Sequence, residues 1–526
     1  MSGKGPGGPC VLALAALLAG CLTPAAVPEE VLRSAAVVLP VDDDGFVDLG
    51  FAGVLHLESD FPSPIGGIIH AEYYVPEGAG PDRPVPVIVE YSPYNAPGRH
   101  TDDGVGPFFG AVPDRVEEYV PRGTAVAYVD ARGFAGSGGC WDYYGDDELA
   151  DAVATVEWFA TQEWSSGKVG MMGTSYPGTT QLLAAIGQAQ GLVTIVPIAP
   201  EPSVYENQFK NGVQYRNAGI TSSLIYASLY PGIALLPPGT EAGAYPGYAQ
   251  ARTETPKCLA ESTPALLDPD AKYSAYFAER DRQGDAGRVT ASVFWSHGFW
   301  DQNVKPDTFT PFWQEITAPK RAWFWHGYHQ DPTEDATGRD GFYDQRHLWM
   351  DHWLHGAANG ADTMAVVEVQ DSLGRWRYED TWPPADAAPR LFFPTSDGVL
   401  VDEPAAETVA FRTDQRTSFG EGSRTASPAR VAADASHVAA TDALAEPVHV
   451  AGVPLYHTRL SLDETRGQIV TGLFDVDPDG TWTLVDRGAL DLRHRDGMDR
   501  VVPVVQGEAM DVTFDGWPTD WVFEAG

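Results

Sequence analysis

An apolar run ends in a serine flanked by glycines: Val169-Gly-Met-Met-Gly173-Thr-Ser175-Tyr-Pro-Gly178. A strand that turns sharply into a helix lifts a serine hydroxyl above a sheet, and small residues on either side avoid clashes at so tight a turn. The usual spacing is G-x-S-x-G. Here the second glycine falls one place later, with Pro177 in between. The following helix would aim the backbone N–H of Tyr176 at a developing oxyanion. A serine that merely caps a helix is the plainer alternative.

A nucleophilic serine needs a base and an acid to orient it. Downstream, Ser292–Ser296 reads as a strand that ends in His297-Gly-Phe-Trp-Asp301, which places Asp301 just past its end. The next strand, Ala322–Trp325, ends in His326-Gly-Tyr-His329-Gln-Asp331-Pro332. His329 lies further into the loop, where a base can reach Ser175, while His326 and His297 abut strand ends and read as packed, hydrogen-bonded histidines. Ser175, Asp301 and His329 fall in the order Ser, Asp, His expected of an α/β-hydrolase. Asp130 also follows a strand, but it precedes the serine.

The elements that must position these residues are legible as β-branched and aromatic runs bounded by Gly, Pro or Asp. They are Ile69–Val75, Val85–Tyr91, Ala125–Asp130, Val169–Met172, Leu192–Ile198, Ser292–Ser296 and Ala322–Trp325, with helical stretches Asp147–Thr161 and Tyr176–Gln188. The alternation predicts a mostly parallel sheet covered on both faces, an α/β-hydrolase domain over 51–364. The interval 201–285, rich in Tyr, Gly, Pro and Ala, reads as a helical lid insertion over the carboxyl edge of the sheet. From 365 to 526 the pattern is short strands and turns: Val366–Gln370, Arg390–Phe393, Val448–Ala451, Gln468–Asp475, Thr481–Asp486 and Asp511–Phe514. That predicts an all-β domain, a sandwich or jelly roll, with 404–442 as a surface excursion.

At the N-terminus, Lys4 precedes an apolar run from Cys10 to Leu18, too short to span a membrane and suited to an export signal over 1–20. Leu18-Ala-Gly-Cys21 resembles a lipobox, which would make Cys21 a lipidated residue at the head of a tether and N-terminal segment over 21–50. The expected location is outside the cytoplasm, with any membrane contact made through that lipid. An ordinary secretory signal is the alternative. Cys140 and Cys258 then remain, and in an oxidising compartment they are expected to pair; two separate buried thiols are the alternative.

The whole chain of 526 residues carries 34 basic against 73 acidic side chains, a net charge of −39. Such a balance excludes nucleic acid as a partner, because phosphate binding needs a basic face. Few of the basic residues are lysine, which fits either a saline habitat or high-GC codon usage. No CxxC or Cys/His cluster argues for zinc. Asp475-Val-Asp477-Pro-Asp479-Gly480 mimics a calcium loop, but its apolar flanks read as a hairpin turn. His347, His352 and His355 lack the i, i+4 spacing of a helical zinc pair.

Four segments together resemble the X-prolyl dipeptidyl peptidase family of serine hydrolases and its cocaine-esterase-like relatives. They are Gly173–Gly178 with Tyr after the serine, the glycine loop Asp130-Ala-Arg132-Gly133 through Gly139, the acid-bearing segment Ser296–Pro306, and His329-Gln-Asp331-Pro332. The resemblance runs from about residue 50 onward. It implies an oxyanion hole made of the Tyr176 N–H and the hydroxyl of Tyr94, and no metal or organic cofactor is expected. Asp130 and Arg132 read as a structural pair beneath the serine turn, where a buried Arg can satisfy several carbonyls. Members of that family carry further β-domain strands than this sequence holds, so either the sheet is expected to be incomplete or the sequence to be a fragment.

Within that family the segments around Asp301 and His329 favour a dipeptidyl peptidase that cuts after proline. Such an enzyme must hold a free amino terminus, for which Glu201 and Glu206 are the nearest lid carboxylates; an exposed lid salt bridge is the alternative. The rival readings are an esterase or acylase, with a small ester in place of a peptide, and a non-catalytic binding lipoprotein.

Overall fold

The computed structural model describes residues 39–95, 115–215, 247, 260, 264–404, 407–410, 425–426 and 436–526. Its centre is a ten-stranded sheet. In chain order the strands are β1 Val54–Pro62, β2 Ile68–Pro76, β3 Val85–Ser92, β4 Ala125–Asp130, β5 Ser165–Thr174, β6 Leu192–Ile198, β9 Ser292–Gly298, β10 Lys320–Trp325, β11 Val367–Gln370 and β12 Trp376–Glu379, with the short β7 Phe209–Lys210 and β8 Val213–Gln214 forming a separate hairpin. Their spatial order is β1-β2-β4-β3-β5-β6-β9-β10-β11-β12. The pairs from β4 through β11 are parallel, and the flanking pairs β1/β2, β2/β4 and β11/β12 are antiparallel.

The inner strands are near-continuous apolar runs because both their faces are covered. In β3, Val87, Val89 and Tyr91 enter one core with Leu182, Leu183 and Phe159, while Ile88 faces the other with Met172, Trp323 and Trp349. After the short α1 Arg115–Tyr119, helices α2 Asp146–Ala160 and α3 Tyr176–Ile186 cover the first face. Phe342–Met350 covers the second. The expected strands and helices of this domain are present, each within a few residues of its expected ends.

The strand expected to open the β domain, Val366–Gln370, belongs instead to the central sheet. It is β11, parallel to β10 through Ala322↔Val367 to Phe324↔Val369. Its alternating Val-Glu-Val-Gln sequence reads as a strand with one polar face, whereas Glu368 is in fact buried against Arg321 and Arg339, so the sequence could not assign it to a sheet. Strand β12 then closes the sheet edge antiparallel.

Beyond it lies a β-rich C-terminal domain. Its pairs are Val448–Gly452 with Thr519–Phe523, Leu455–Leu460 with Met510–Asp515, and Gln468–Val476 with Trp482–Asp491, all antiparallel. Leu490, Leu492, Val504, Val512 and Phe514 form its core. The calcium-like segment is a hairpin turn, closed by the Asp477 N–H on Thr481 O and the Gly480 N–H on Asp477 O.

Asp520, fully buried, joins this domain to the central sheet. Its carboxylate accepts from both terminal nitrogens of Arg377 on β12 and from Trp382 Nε1 at 3.0 Å, and it meets His449 Nε2 at 2.8 Å. Its carbonyl lies 2.6 Å from His326 Nε2.

The described parts of the interval 201–285 include α4 Val204–Gln208, the β7–β8 hairpin, the helix Ala275–Glu279 and a 3₁₀ turn that starts at Gln283. Lys210 and Asn211 of this interval reach the C-terminal domain at Asp515, Gly516 and Ala489. Among the described residues, no helix is long and apolar enough to cross a membrane. The expected export signal, Cys21 and most of the expected tether lie outside the described residues.

Candidate active site

Parallel strands deliver their following loops to one sheet edge, and the crevice opens where the winding direction reverses. Here β3 lies between β4 and β5, so that the loops after β3 and β5 part at this point. Tyr94 sits in the first loop and Ser175 in the second.

Ser175 has φ 70° and stands at the N-cap of α3. A left-handed backbone is costly for a non-glycine residue and marks a turn that its surroundings must hold. Three features hold it. The Ser175 N–H donates to Ile198 O at 2.9 Å. Gly173 leaves room for Pro177, which a Cβ there would meet at 2.7 Å. Gly178 lies against Ile198 O, which its Cβ would also meet at 2.7 Å. The late glycine is therefore the one pressed onto β6, and Pro177 occupies the first helical turn, where its missing N–H costs nothing.

Asp301 follows β9 and is fully buried. Its Oδ1 accepts the N–H groups of Asn303 and Val304 at 2.8 and 2.9 Å, and its Oδ2 lies 2.6 Å from Nδ1 of His329. A carboxylate fixed in this way holds an imidazole with its other nitrogen turned outward and stabilises the imidazolium. His297 is buried beside it, bonded to Val304 O at 3.1 Å, and burial pushes its pKa down to about 4, so it remains neutral. His326 is bonded to Asp520 O and Gln370, as a packed histidine should be.

Thr174, the residue before the serine, donates its hydroxyl to the Asp331 carboxylate, two residues beyond His329. This bond joins the loops of Ser175 and His329. Thr180 on α3 donates to Tyr91 O at 2.8 Å, which draws the end of β3 to the same helix. Tyr94 meets the Tyr176 ring edge-on at a centroid distance of 6.3 Å. The Tyr176 hydroxyl donates to Glu148 at 2.7 Å and accepts from Trp141 Nε1 at 3.0 Å. Burial, reinforced by Asp142 and Asp151, raises the Glu148 pKa to about 8, against the lowering effect of its bonds from the Tyr144 N–H and Tyr176.

Glu201 follows β6, and its N–H donates to Thr179 on the first turn of α3 at 2.7 Å. Its carboxylate accepts from Asn207 Nδ2 at 2.8 Å. Burial raises its pKa to about 8, opposed by Lys305, Asn207 and Tyr143. Glu201 is therefore no exposed lid salt bridge. Glu206 is engaged by Gln283 Nε2 at 3.2 Å, and burial with neighbouring Asp307 and Asp281 raises its pKa to about 8 as well. Lys305, buried near Glu201 and Asp301, is lowered by desolvation to about 7. Sequence reasoning passed over Lys305, Glu148 and Asp331 as site residues, although Asp331 stood inside the quoted histidine segment.

The expected Asp130–Arg132 pair does not form. Arg132 Nε bonds Asp151 at 2.8 Å, and its Nη2 donates to Ser63 and Gly66 O, whereas Asp130 accepts the Gly136 N–H at 2.8 Å. Burial, reinforced by Glu72 and Asp60, raises the Asp130 pKa well above its usual range, against the lowering effect of the bond from the Gly136 N–H. Cys140 is disulfide-bonded; Cys258 lies outside the described residues. His347, His352 and His355 each bind a separate partner, respectively Glu118, Ala357 O and Thr124.

Comparison with known proteins gives a consistent picture. The family described as X-Pro dipeptidyl-peptidase (S15 family) matches residues 66–356, and the X-Pro dipeptidyl-peptidase C-terminal non-catalytic domain matches 359–526. A provisionally named Xaa-Pro dipeptidyl-peptidase of Bacillus cereus is 26% identical over 487 residues, covering 85% of this chain and 78% of the relative. An α-amino acid ester hydrolase superposes with a TM-score of 0.70 at 18% identity, over 95% of this chain and 91% of the other. A CocE/NonD family hydrolase from Staphylococcus aureus gives 0.67 at 15%, over 90% and 87%. These two likenesses establish the fold.

Proposed function

The chain belongs to the S15 family of X-Pro dipeptidyl-peptidases and is a serine hydrolase, and from that premise we propose that it releases X-Pro dipeptides from peptide amino termini. Ser175 attacks the carbonyl carbon of the proline residue while His329 Nε2 takes its proton. The oxyanion meets the Tyr176 N–H and the Tyr94 hydroxyl. Collapse expels the amine, which takes the proton from His329, and water then repeats the sequence on the acyl-enzyme. The observation that carries this reading is the 2.6 Å contact of His329 Nδ1 with a buried Asp301, on loops adjacent to a serine at φ 70°.

The dipeptide register requires a site for the substrate ammonium. Glu201 supports it: its carboxylate is buried beside α3, and an arriving ammonium would hold it ionised. Glu206 is the weaker candidate because Gln283 already engages it. An esterase or acylase needs neither. Turnover of a glycyl-prolyl anilide against a simple acyl ester separates the two readings: ester turnover with no release of the anilide would overturn the peptidase assignment.

The same proposal includes export and lipidation at Cys21, resting on Lys4, the run Cys10–Leu18 and the sequence Leu18–Cys21. Radiolabelled acyl chain retained by Cys21→Ser would remove that part.

A further inference from the structure

Two loops of the proposed site meet at one buried side chain. Asn207 lies on α4, and its amide stands between Glu201, beyond β6, and the turn that follows β9. The Lys305 N–H donates to its Oδ1 at 3.3 Å, and its Nδ2 donates to Glu201 Oε2 at 2.8 Å. A backbone N–H can only donate, so the amide oxygen must face Lys305 and the NH2 must face the acid.

The turn that Asn207 grips is the one that fixes Asp301. Within it the Asn303 and Val304 N–H groups donate to Asp301 Oδ1, while Asp301 Oδ2 meets His329 Nδ1. Lys305 Nζ donates to Asn303 O at 3.0 Å and lies 4.8 Å from the centroid of the Tyr215 ring, which holds the turn from its far side. Lys210, just past α4, adds a second tie through Asp307 at 3.0 Å. Glu201, Asn207, Lys305 and Asp301 are all buried, so water does not replace a bond lost along this line. Burial favours the protonated form of Glu201, and a substrate ammonium would reverse that preference. A hydrogen bond to an ionised carboxylate is roughly twice as strong as one to a neutral acid. An amide polarised at one end also accepts more strongly at the other. An ammonium on Glu201 therefore tightens both bonds of Asn207 and, through the Lys305 N–H, the turn that holds Asp301.

Given the peptidase reading of Glu201, on which this rests, we propose that Asn207 is a positioning residue that couples capture of the substrate ammonium to the orientation of Asp301 and His329. Part of the energy of binding the amino terminus is then spent on turnover. A substrate that carries the ammonium gains in kcat, and one without it does not.

The test gives the full chain two anilides with the same leaving group, glycyl-prolyl and acetyl-prolyl, which differ only by the amino group. In the unmodified protein kcat should be at least about 10-fold higher for the glycyl substrate, within the usual range of coupling between sites. An advantage confined to KM would overturn the coupling without recourse to any variant. Asn207→Leu keeps the size of the side chain and removes both bonds. The ratio of the two kcat values should then fall to about 1–2, while the glycyl substrate keeps its advantage in KM because Glu201 is still present. Asn207→Asp keeps the shape and an acceptor for the Lys305 N–H, puts an acid in place of the amide donor, and should lower the ratio as well. A ratio that holds its original value in these variants, equal loss on both substrates included, would make Asn207 a structural amide and overturn the proposal. Glu201→Gln tells this failure from failure of the reading beneath it. If Glu201→Gln raises KM for the glycyl substrate alone while the Asn207 variants spare the ratio, the ammonium site stands and the coupling falls. If Glu201→Gln leaves the glycyl advantage intact in both KM and kcat, the ammonium site falls and the coupling with it.

Discussion

Thr174 donates its hydroxyl to the carboxylate of Asp331, tying the residue before the serine to the loop that carries His329. Neither residue touches substrate in the proposed mechanism, but together they set the spacing of nucleophile and base. Thr174→Val keeps the shape and removes the donor. Expected is a kcat lower by about 10- to 10²-fold, the scale of a small misplacement of reacting groups, with KM little changed. Unchanged kcat would show that the two loops are held by other contacts.

Ser175→Ala and His329→Ala should each lower turnover by about 10³-fold or more while the chain still folds, because the two act as one unit. Asp301→Asn should lower it as well by losing control of the imidazole tautomer. If His326→Ala reduced kcat more than His329→Ala, the base would be the wrong histidine; the His326 ring meets Asp520 O through Nε2, so its loss should appear in stability.

Tyr94→Phe retains the ring that meets Tyr176 and removes only a hydroxyl. A donor that matters in the transition state should appear in kcat, by about 10²–10³-fold, and not in KM. Full kcat in this variant would shift the second oxyanion donor to a backbone N–H in the loop after β3.

Glu201→Gln should raise KM for a glycyl-prolyl anilide and leave KM for an acyl ester without an amino group near its original value. Loss of activity on both substrates in equal measure would make Glu201 a structural acid and would leave the substrate ammonium without an assigned partner.

Glu148 offers a test of pH linkage. Its pKa is raised to about 8 by burial, while an unfolded glutamate titrates near 4.5. Between those values the folded chain holds a proton that the unfolded chain has lost, so stability from this group is full below about pH 4.5 and drains away as pH rises through about 8. Glu148→Gln cannot titrate. The melting temperature of the variant relative to the unmodified chain should therefore climb across that window and level off above it. A difference that stays flat from pH 5 to 8 would mean that Glu148 is ionised in the folded protein.

The parallel strands could be read because each is an apolar run set off by Gly, Pro or Asp, and burial on both faces enforces that composition. The places of Ser175, Asp301 and His329 in the fold could be read because each follows such a strand. Strand β1 was missed because its exposed face carries His56, Glu58 and Asp60 and so lacks the apolar run. Glu148 and the Thr174–Asp331 bond were invisible for another reason: each depends on residues brought together from distant parts of the chain, 28 and 157 positions apart. The same limit explains Arg132, whose partner proved to be Asp151 on α2 rather than nearby Asp130.

The buried carboxylate of Asp520 bears on how the molecule comes apart. Arg377, Trp382 and His449 all converge on it, and its carbonyl meets His326 beside the loop of the proposed base. Separating the two domains would break the paired Arg377–Asp520 bonds and open the fully buried Trp382 to water in one step, at a high cost in free energy. Catalytic sheet and C-terminal domain should then melt as a single cooperative transition, and inactivation by heat should coincide with loss of the β-rich domain rather than precede it.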